Sequence, residues 1–258
     1  MGIHPTAVID PSAEIDPGAS VGPYALIGPR TVVGPDVEIM GHAFIDKDTV
    51  IGRGSRIFPF ASLGADPQDL KYKGEPTRLI LGENVTIRES VTIHRATVEG
   101  RGCTEIDDDA FIMSSVHVAH NCRVGRRAIL SSFAVLAGHV TIEEDVIVSG
   151  LTAIHQFVRV GRHSFVGGMS GPSKDVPPYM LLAGVRDKAA VSSPNVVGLK
   201  RRNFPPEVVD ALVGAFRLLH NRRPLAQVLD EVDARWPDCQ EIRTLTEFYR
   251  SSERGVYR

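Results

Sequence analysis

The chain carries little sulfur chemistry. Of its 258 residues only Cys103, Cys122 and Cys239 are cysteine, widely spaced and without a CxxC pair. An odd, scattered set argues against a disulfide framework or a cysteine-built zinc site, and it suits a reducing cytoplasm. Neither sign of charge is in excess, since 29 basic against 31 acidic residues leave a formal net charge of -2. Without a global basic field, nucleic acid is not expected as a partner. No apolar run approaches the roughly 18 to 20 residues that cross a bilayer, and Met1 to Ile9 lacks a basic segment leading into an apolar core. No membrane insertion and no secretory leader are expected, and the location expected is cytoplasmic. Hydrophobic residues make up 43% of the chain, ordinary for a folded domain.

What is present is a repeat. Aliphatic residues recur every six positions from Ile3 through Ile9, Ile15, Val21 and onward to Leu63. They resume at Leu81, Ile87 and Ile93, and again from Ile106 to Val166. A helix needs a period near 3.6 and a half-buried strand a period of 2, so neither explains a period of six. A solenoid of short strands and turns does. With three hexads per triangular coil, residues 18 apart stack about 4.8 Å above one another, aliphatic side chains inward. Glycine often follows the aliphatic residue, as at Gly22, Gly52 and Gly125. That position therefore demands either a permissive turn or a close approach of backbone.

Two stretches interrupt the rule. Asp66 to Arg78 keeps the phase and Ala96 to Glu105 shifts it by one residue, so both are expected to loop out of a corner. Loops on a rigid scaffold often carry binding groups. Beyond Val176-Pro177-Pro178 the pattern ends, and apolar spacing turns helical over Val208 to Leu219, Leu225 to Val232 and Ile242 to Tyr249. The chain thus divides into an all-β solenoid over residues 1–190 and a small C-terminal α-helical domain over 191–258.

Five of the nine histidines lie between positions 117 and 163. His120, His139 and His155 belong to hexads that start at Val118, Leu136 and Ile154, 18 residues apart, so they are expected on one face of three successive coils. His117 immediately precedes that face, Asn121, Gly138 and Gln156 share it, and His163 belongs to another. Imidazole titrates near neutrality and can take a proton from a hydroxyl nucleophile. Three neutral imidazoles can equally hold zinc with an open position, so spacing alone leaves both uses open.

The segments Gln68-Asp69-Leu70-Lys71-Tyr72, Gly74-Glu75-Pro76-Thr77-Arg78, Arg88 to Arg95, Leu136-Ala137-Gly138-His139-Val140 and Thr152 to Phe157 resemble the UDP-N-acetylglucosamine O-acyltransferase family, and Gly198 to Arg202 extends the match into the tail. The resemblance implies a left-handed parallel β-helix of hexapeptide repeats. It implies a cytoplasmic homotrimer, with active sites between subunits, that carries out the first step of lipid A biosynthesis. An R-3-hydroxyacyl chain would pass from acyl carrier protein to the sugar 3-hydroxyl, with no metal and no cofactor. His120 would be the general base, and the Gly138 N–H would stabilise the oxyanion. Asp69, Lys71, His117, His139, His155 and Gln156 would hold sugar and acyl donor, Asn195 and Arg201 the nucleotide.

This chain departs from the family at Asn121, at Arg186 and in a longer stretch from Arg186 to Asn195. Asn121 stands where the family usually has aspartate; an amide oxygen can still fix an imidazole tautomer but brings no full charge, so Asn121→Asp is expected to be tolerated or faster. Gly168 matches the position that limits acyl length and implies an open groove for a longer chain. Arg186 stands where relatives carry histidine. Lys200, Arg201, Arg202, Arg222 and Arg223 form a basic group suited to an acidic carrier protein. The repeat alone also permits an acyl- or acetyl-CoA-dependent transferase, one that acylates a 3-amino sugar, or a solenoid without catalysis.

Overall fold

A computed structural model of the protein describes residues 2–184, 188–221 and 223–258; Arg186 and Arg222 lie outside the described residues. Most strands are two residues long, one side chain in and one out, as Phe44–Ile45 and Val135–Leu136 illustrate. They stack into three parallel sheets, the walls of a left-handed triangular prism. One eight-stranded wall runs from Val8–Ile9 through Ser62–Ala65, Thr92–His94, His117–Val118 and Val135–Leu136 to Ala153–Ile154, and is called the histidine wall below. The second eight-stranded wall, the charged wall, runs from Glu14–Ile15 to Arg159–Val160. The third has ten strands among the described residues, from Ser20–Val21 to Phe165–Val166 and then Met180–Ala183 and Ala190–Pro194, the last pair antiparallel.

Register follows the sequence period. Val118 pairs with Leu136 and Leu136 with Ile154, 18 residues apart each time. At the first break the step becomes 30, as Leu63 pairs with Ile93, and at the second 25, as Ile93 pairs with Val118. The excursions therefore add twelve and seven residues to single coils without moving the walls. The aliphatic ladder is the core: Ile57, Leu63, Ile93, Val118 and Leu136 are each fully buried.

The corners correct one half of the glycine reading. The residues with left-handed φ are mostly not glycine; they stand three places after each ladder aliphatic, as at His42, Asn121, His139 and Phe157, with φ of 60–63°. Such a conformation costs an L-residue roughly 1–2 kcal/mol. At these corners the N–H donates to the carbonyl of the coil before, His42 to Pro23 at 2.9 Å and His139 to His120 at 3.0 Å, which ties each corner to its neighbour. Glycine directly after the aliphatic serves close approach instead. A Cβ on Gly125 would lie 2.7 Å from the carbonyl carbon of Glu143 and from the nitrogen of Glu144 in the next coil.

The tail forms α1 (Val196–Arg201), α2 (Pro206–Leu219), α3 (Leu225–Arg235) and α4 (Gln240–Arg250). The last three match the apolar spacing, with Leu212, Val228, Val232, Ile242 and Leu245 fully buried. α1 was not foreseen; it is short, capped by Asn195 whose side chain accepts the Gly198 N–H. The Arg159 guanidinium lies 3.9 Å from the Phe248 ring centroid and donates to the Phe248 carbonyl, fastening α4 to the charged wall. No helix among the described residues is long and apolar enough to cross a membrane.

Because the coils touch backbone to backbone at these glycines, Gly125→Ala is expected to cost about 1–3 kcal/mol of stability. A denaturant or thermal melt with an unmoved midpoint would contradict that contact.

Candidate active site

The corner between the histidine wall and the charged wall gathers the chemistry. His120 and Asn121 lie there between His117–Val118 and Arg123–Val124, and Gly138, His139, Gln156 and Phe157 occupy the turns of the next two coils. Both excursions leave the prism at this same corner, the first after Ser62–Ala65 and the second after Thr92–His94. The two loops and the histidines are thus neighbours by topology.

His120 stands over Gly138. A Cβ on Gly138 would fall 2.6 Å from His120 Cε1 and 2.7 Å from Nε2, so only glycine lets the ring occupy this place. The Gly138 N–H has no backbone acceptor among the described residues. His120 Nδ1 lies 2.8 Å from Asn121 Oδ1, its ring 5.2 Å from and edge-on to that of His139. His139 in turn stacks on Phe157 at 4.6 Å. His117 Nδ1 meets Thr92 Oγ1 at 2.8 Å. His155 and Gln156 are exposed at the upper end of the strip, with Arg254 Nη2 3.3 Å from His155 Nδ1.

The first loop brings Asp69, whose carboxylate accepts the Lys71 N–H, and Lys71, whose Nζ lies 3.8 Å from Glu99 Oε1 on the second loop. The Glu99 carbonyl accepts from Asn121 Nδ2 at 2.6 Å, so the second loop lies against the strip and, through Lys71, brings the first loop beside it. Asn195 and Arg201 are elsewhere. They line a cleft of about 490 Å³ with Ile147, Phe165 and Leu181 on the ten-stranded wall, and the Asn195 amide also donates to the His163 carbonyl. One chain therefore does not bring these two residues to the histidine strip. His163 is off the strip as well, stacked on Tyr179 and near Asp145.

Gly168 lies exposed at the corner between the ten-stranded and histidine walls, beside the exposed side chains of Leu151 and Met169. A Cβ there would come no closer than 3.4 Å to the Gly150 carbonyl, so the surface at that point is open.

The sequence reading missed His94, Arg95 and Thr97. His94 meets His117 edge-on at 5.4 Å and its Nδ1 contacts the Asp66 carbonyl at 2.5 Å. Arg95 is fully buried, paired with Asp46 and Asp66 and bonded to Tyr72 Oη, and so pins the first loop to the corner. His94 and Arg95 sit just ahead of the second loop and Thr97 lies within it, and the seven residues inserted there break the 18-residue count that located the others.

Burial pushes the imidazoles of His94, His117 and His139 below the ordinary 6.5. Neighbouring imidazoles push the same way, His120 on His94 and His139, and His94 on His117; Asp69 and Glu99 oppose the shift at His139. Cys122 is buried beneath the strip, its Sγ bonded to the Ala137 carbonyl and its thiol pushed up to about 12, so it is no nucleophile. Among the described residues no group of three or more His, Cys, Asp or Glu side chains converges as metal ligands.

A hexad coil with this strip at its corner defines a hexapeptide-repeat transferase, and residues 103–138 match the family model described as bacterial transferase hexapeptide. Residues 175–257 match the model of UDP-N-acetylglucosamine O-acyltransferase domain 2. A protein of Burkholderia lata named acyl-[acyl-carrier-protein]–UDP-N-acetylglucosamine O-acyltransferase is 44% identical over 219 residues, 81% of this chain and 80% of that one. A Burkholderia mallei protein of the same name is 44% identical over 79% of each chain. The solved UDP-N-acetylglucosamine acyltransferase of Francisella novicida superposes with a TM-score of 0.96 at 34% identity, covering 100% of this chain and 94% of that one. The Bacteroides fragilis enzyme does so with 0.96 at 37%, covering 99% of each. The chain belongs to the UDP-N-acetylglucosamine O-acyltransferase family, and it is an acyltransferase.

Two outcomes follow from this geometry. Gly138→Ala keeps the N–H but displaces the His120 ring, so acyl transfer is expected to fall by roughly tenfold to a hundredfold with the fold intact; wild-type turnover would show that the ring can move freely. The three depressed histidines bind protons more weakly folded than unfolded, so their contribution to stability is present above about pH 6.5 and is lost as pH falls through their lower folded values. Melts at graded pH should show this loss, and it should shrink when His94 is replaced by glutamine.

Proposed function

We propose that the protein transfers an R-3-hydroxyacyl chain from acyl carrier protein to the 3-hydroxyl of UDP-N-acetylglucosamine. The observation that carries this is His120, held at Nδ1 by Asn121 with Nε2 directed over Gly138. Nε2 takes the proton of the sugar hydroxyl as its oxygen attacks the thioester carbonyl. The new C–O bond forms, the oxyanion collapses, the C–S bond breaks, and the imidazolium returns the proton to the leaving thiolate. The Gly138 N–H stabilises the oxyanion from a turn that the next coil holds rigid. Asp69, Lys71, His117, His139, His155 and Gln156 hold sugar and acyl donor around this centre. No cofactor enters.

Asn195 and Arg201 hold the nucleotide, and because they lie on another wall of the same chain, the site is completed by a second copy. The surface between these walls suits that partner. Phe111, Ile129, Ile147 and Phe165 point outward from the ten-stranded wall, and Phe133, Leu151 and Met169 stand 57%, 61% and 66% exposed at its corner with the histidine wall. The charged wall is the contrast, laced with pairs such as Arg123 with Asp107 and Arg126 with Asp108. A closed trimer burying the apolar corner and leaving the charged wall in water accounts for both. The acyl chain follows the same corner, and Gly168 leaves room for a longer one. The β-helix of 1–190 thus does the chemistry, while Lys200, Arg201, Arg202 and Arg223 on the helical part attract the acidic carrier in the cytoplasm.

Incubation with UDP-N-acetylglucosamine, its 3-amino analogue and a mixture of 3-hydroxyacyl carrier proteins, read by mass spectrometry, tests this. The ester of a longer hydroxyacyl chain should dominate, and His120→Ala should lose about a hundredfold to ten-thousandfold in turnover. Product formed only with the amino sugar, or near-normal turnover in the alanine variant, would overturn the reading.

A further inference from the structure

Asn121 does more than face the imidazole. It stands in left-handed backbone, φ 60°, where a short amide side chain is tolerated, and its own N–H donates to Thr104 Oγ1 at 2.9 Å where other corners donate to a carbonyl of the coil before. Its side chain is engaged on every polar atom. Oδ1 accepts the Thr97 N–H and the Thr97 hydroxyl, both at 2.9 Å, and faces His120 Nδ1. Nδ2 donates to the carbonyls of Thr97 at 3.1 Å and Glu99 at 2.6 Å.

These partners leave the amide one orientation. A backbone N–H can only donate and a carbonyl can only accept, so turning the amide over would set NH₂ against the Thr97 N–H and oxygen against two carbonyls. With the oxygen fixed toward His120, Nδ1 must carry the ring proton, and Nε2 is left with the lone pair. An asparagine beside a base is otherwise ambiguous, because either end of the amide can face the ring, and the wrong end would protonate the wrong nitrogen.

We propose that the backbone of the second loop, at Thr97 and Glu99, sets the tautomer of His120 through Asn121, which acts as a positioning residue in place of a charged partner. This rests on the reading of His120 as base. Loop and residue are matched: a carboxylate at 121 would still accept from His120 and Thr97, but its other oxygen would face the two carbonyls with nothing to donate. The sequence expectation that aspartate is tolerated or faster is therefore reversed for substrate binding. Released from Asn121, the loop would also free Glu99 from its place beside Lys71.

The test uses the full-length enzyme labelled with ¹⁵N in histidine, with kinetics and hydrogen exchange on the same samples. The wild type should show neutral His120 protonated at Nδ1. Asn121→Asp should keep that tautomer, move the acid limb of the kcat/KM profile upward by about one pH unit or more as the carboxylate favours imidazolium, raise KM severalfold, and speed exchange of amides 97–101. Asn121→Leu should mix the tautomers and cost on the order of a hundredfold in kcat, with a melt confirming that it folds. Neutral His120 protonated at Nε2 in the wild type would overturn the proposal, as would Asn121→Asp with unchanged loop exchange and an unchanged pH profile. Should His120→Ala remain active while the Nδ1 proton is observed, the base assignment falls and the tautomer lock stands.

Discussion

Every coil hands its backbone N–H and carbonyl groups to the coils above and below, and this ladder fixes the 18-residue register on which everything else depends. Strands of two residues could not persist alone, since two residues cannot repay the entropy of ordering them. They persist because a whole wall is one continuous sheet. The same ladder makes left-handed corners affordable at residues other than glycine, and it reserves glycine for places where backbone meets backbone or, at Gly138, where an imidazole does. The geometry of the histidine strip and the stability of the coil are thus set by one constraint.

That constraint also explains where variation is allowed. Twelve and seven extra residues enter at one corner, and the register resumes on either side with the ladder aliphatics still buried. Insertions at a corner lengthen one coil only, so chemistry can be added there without disturbing the core. Both insertions are then tied down by side chains from the walls, the first by buried Arg95 and the second by Asn121. A loop held in this way presents polar groups to a site with little entropy left to lose on binding.

Much of this was legible in the sequence. A period of six has few physical solutions, so the solenoid, the helical tail and the alignment of His120, His139 and His155 could be read from counting, although the three stand at a corner and not on the face of a wall. Counting failed where the count was broken: His94 lies 25 rather than 18 residues from its neighbour in the next coil, and nothing local marks its meeting with His117. The role of glycine was half right, because sequence cannot tell a left-handed turn from a crowded one. α1 was too short for its period to show, and Asn195 capping it is a contact that only the folded chain reveals. Arg254 was out of reach for a similar reason: it comes to His155 through the pairing of Val256 with Asp175, which joins residues far apart in sequence.

A prism held together this way has no hinge, and that bears on how acyl transfer is achieved. Enzymes that close a domain over substrate gain exclusion of water by moving, but shifting one coil here would break a row of hydrogen bonds in three walls at once. His120 and Gly138 are instead held one coil apart at a fixed distance, the arrangement that the proposed base and oxyanion donor need for electrostatic stabilisation without reorganisation. The cleft of Asn195 and Arg201 is equally fixed, on another wall. For a molecule that does not fold around its substrate, the association proposed above is the remaining way to complete the pocket, and the exposed apolar corner between the ten-stranded and histidine walls is the surface on which that proposal rests.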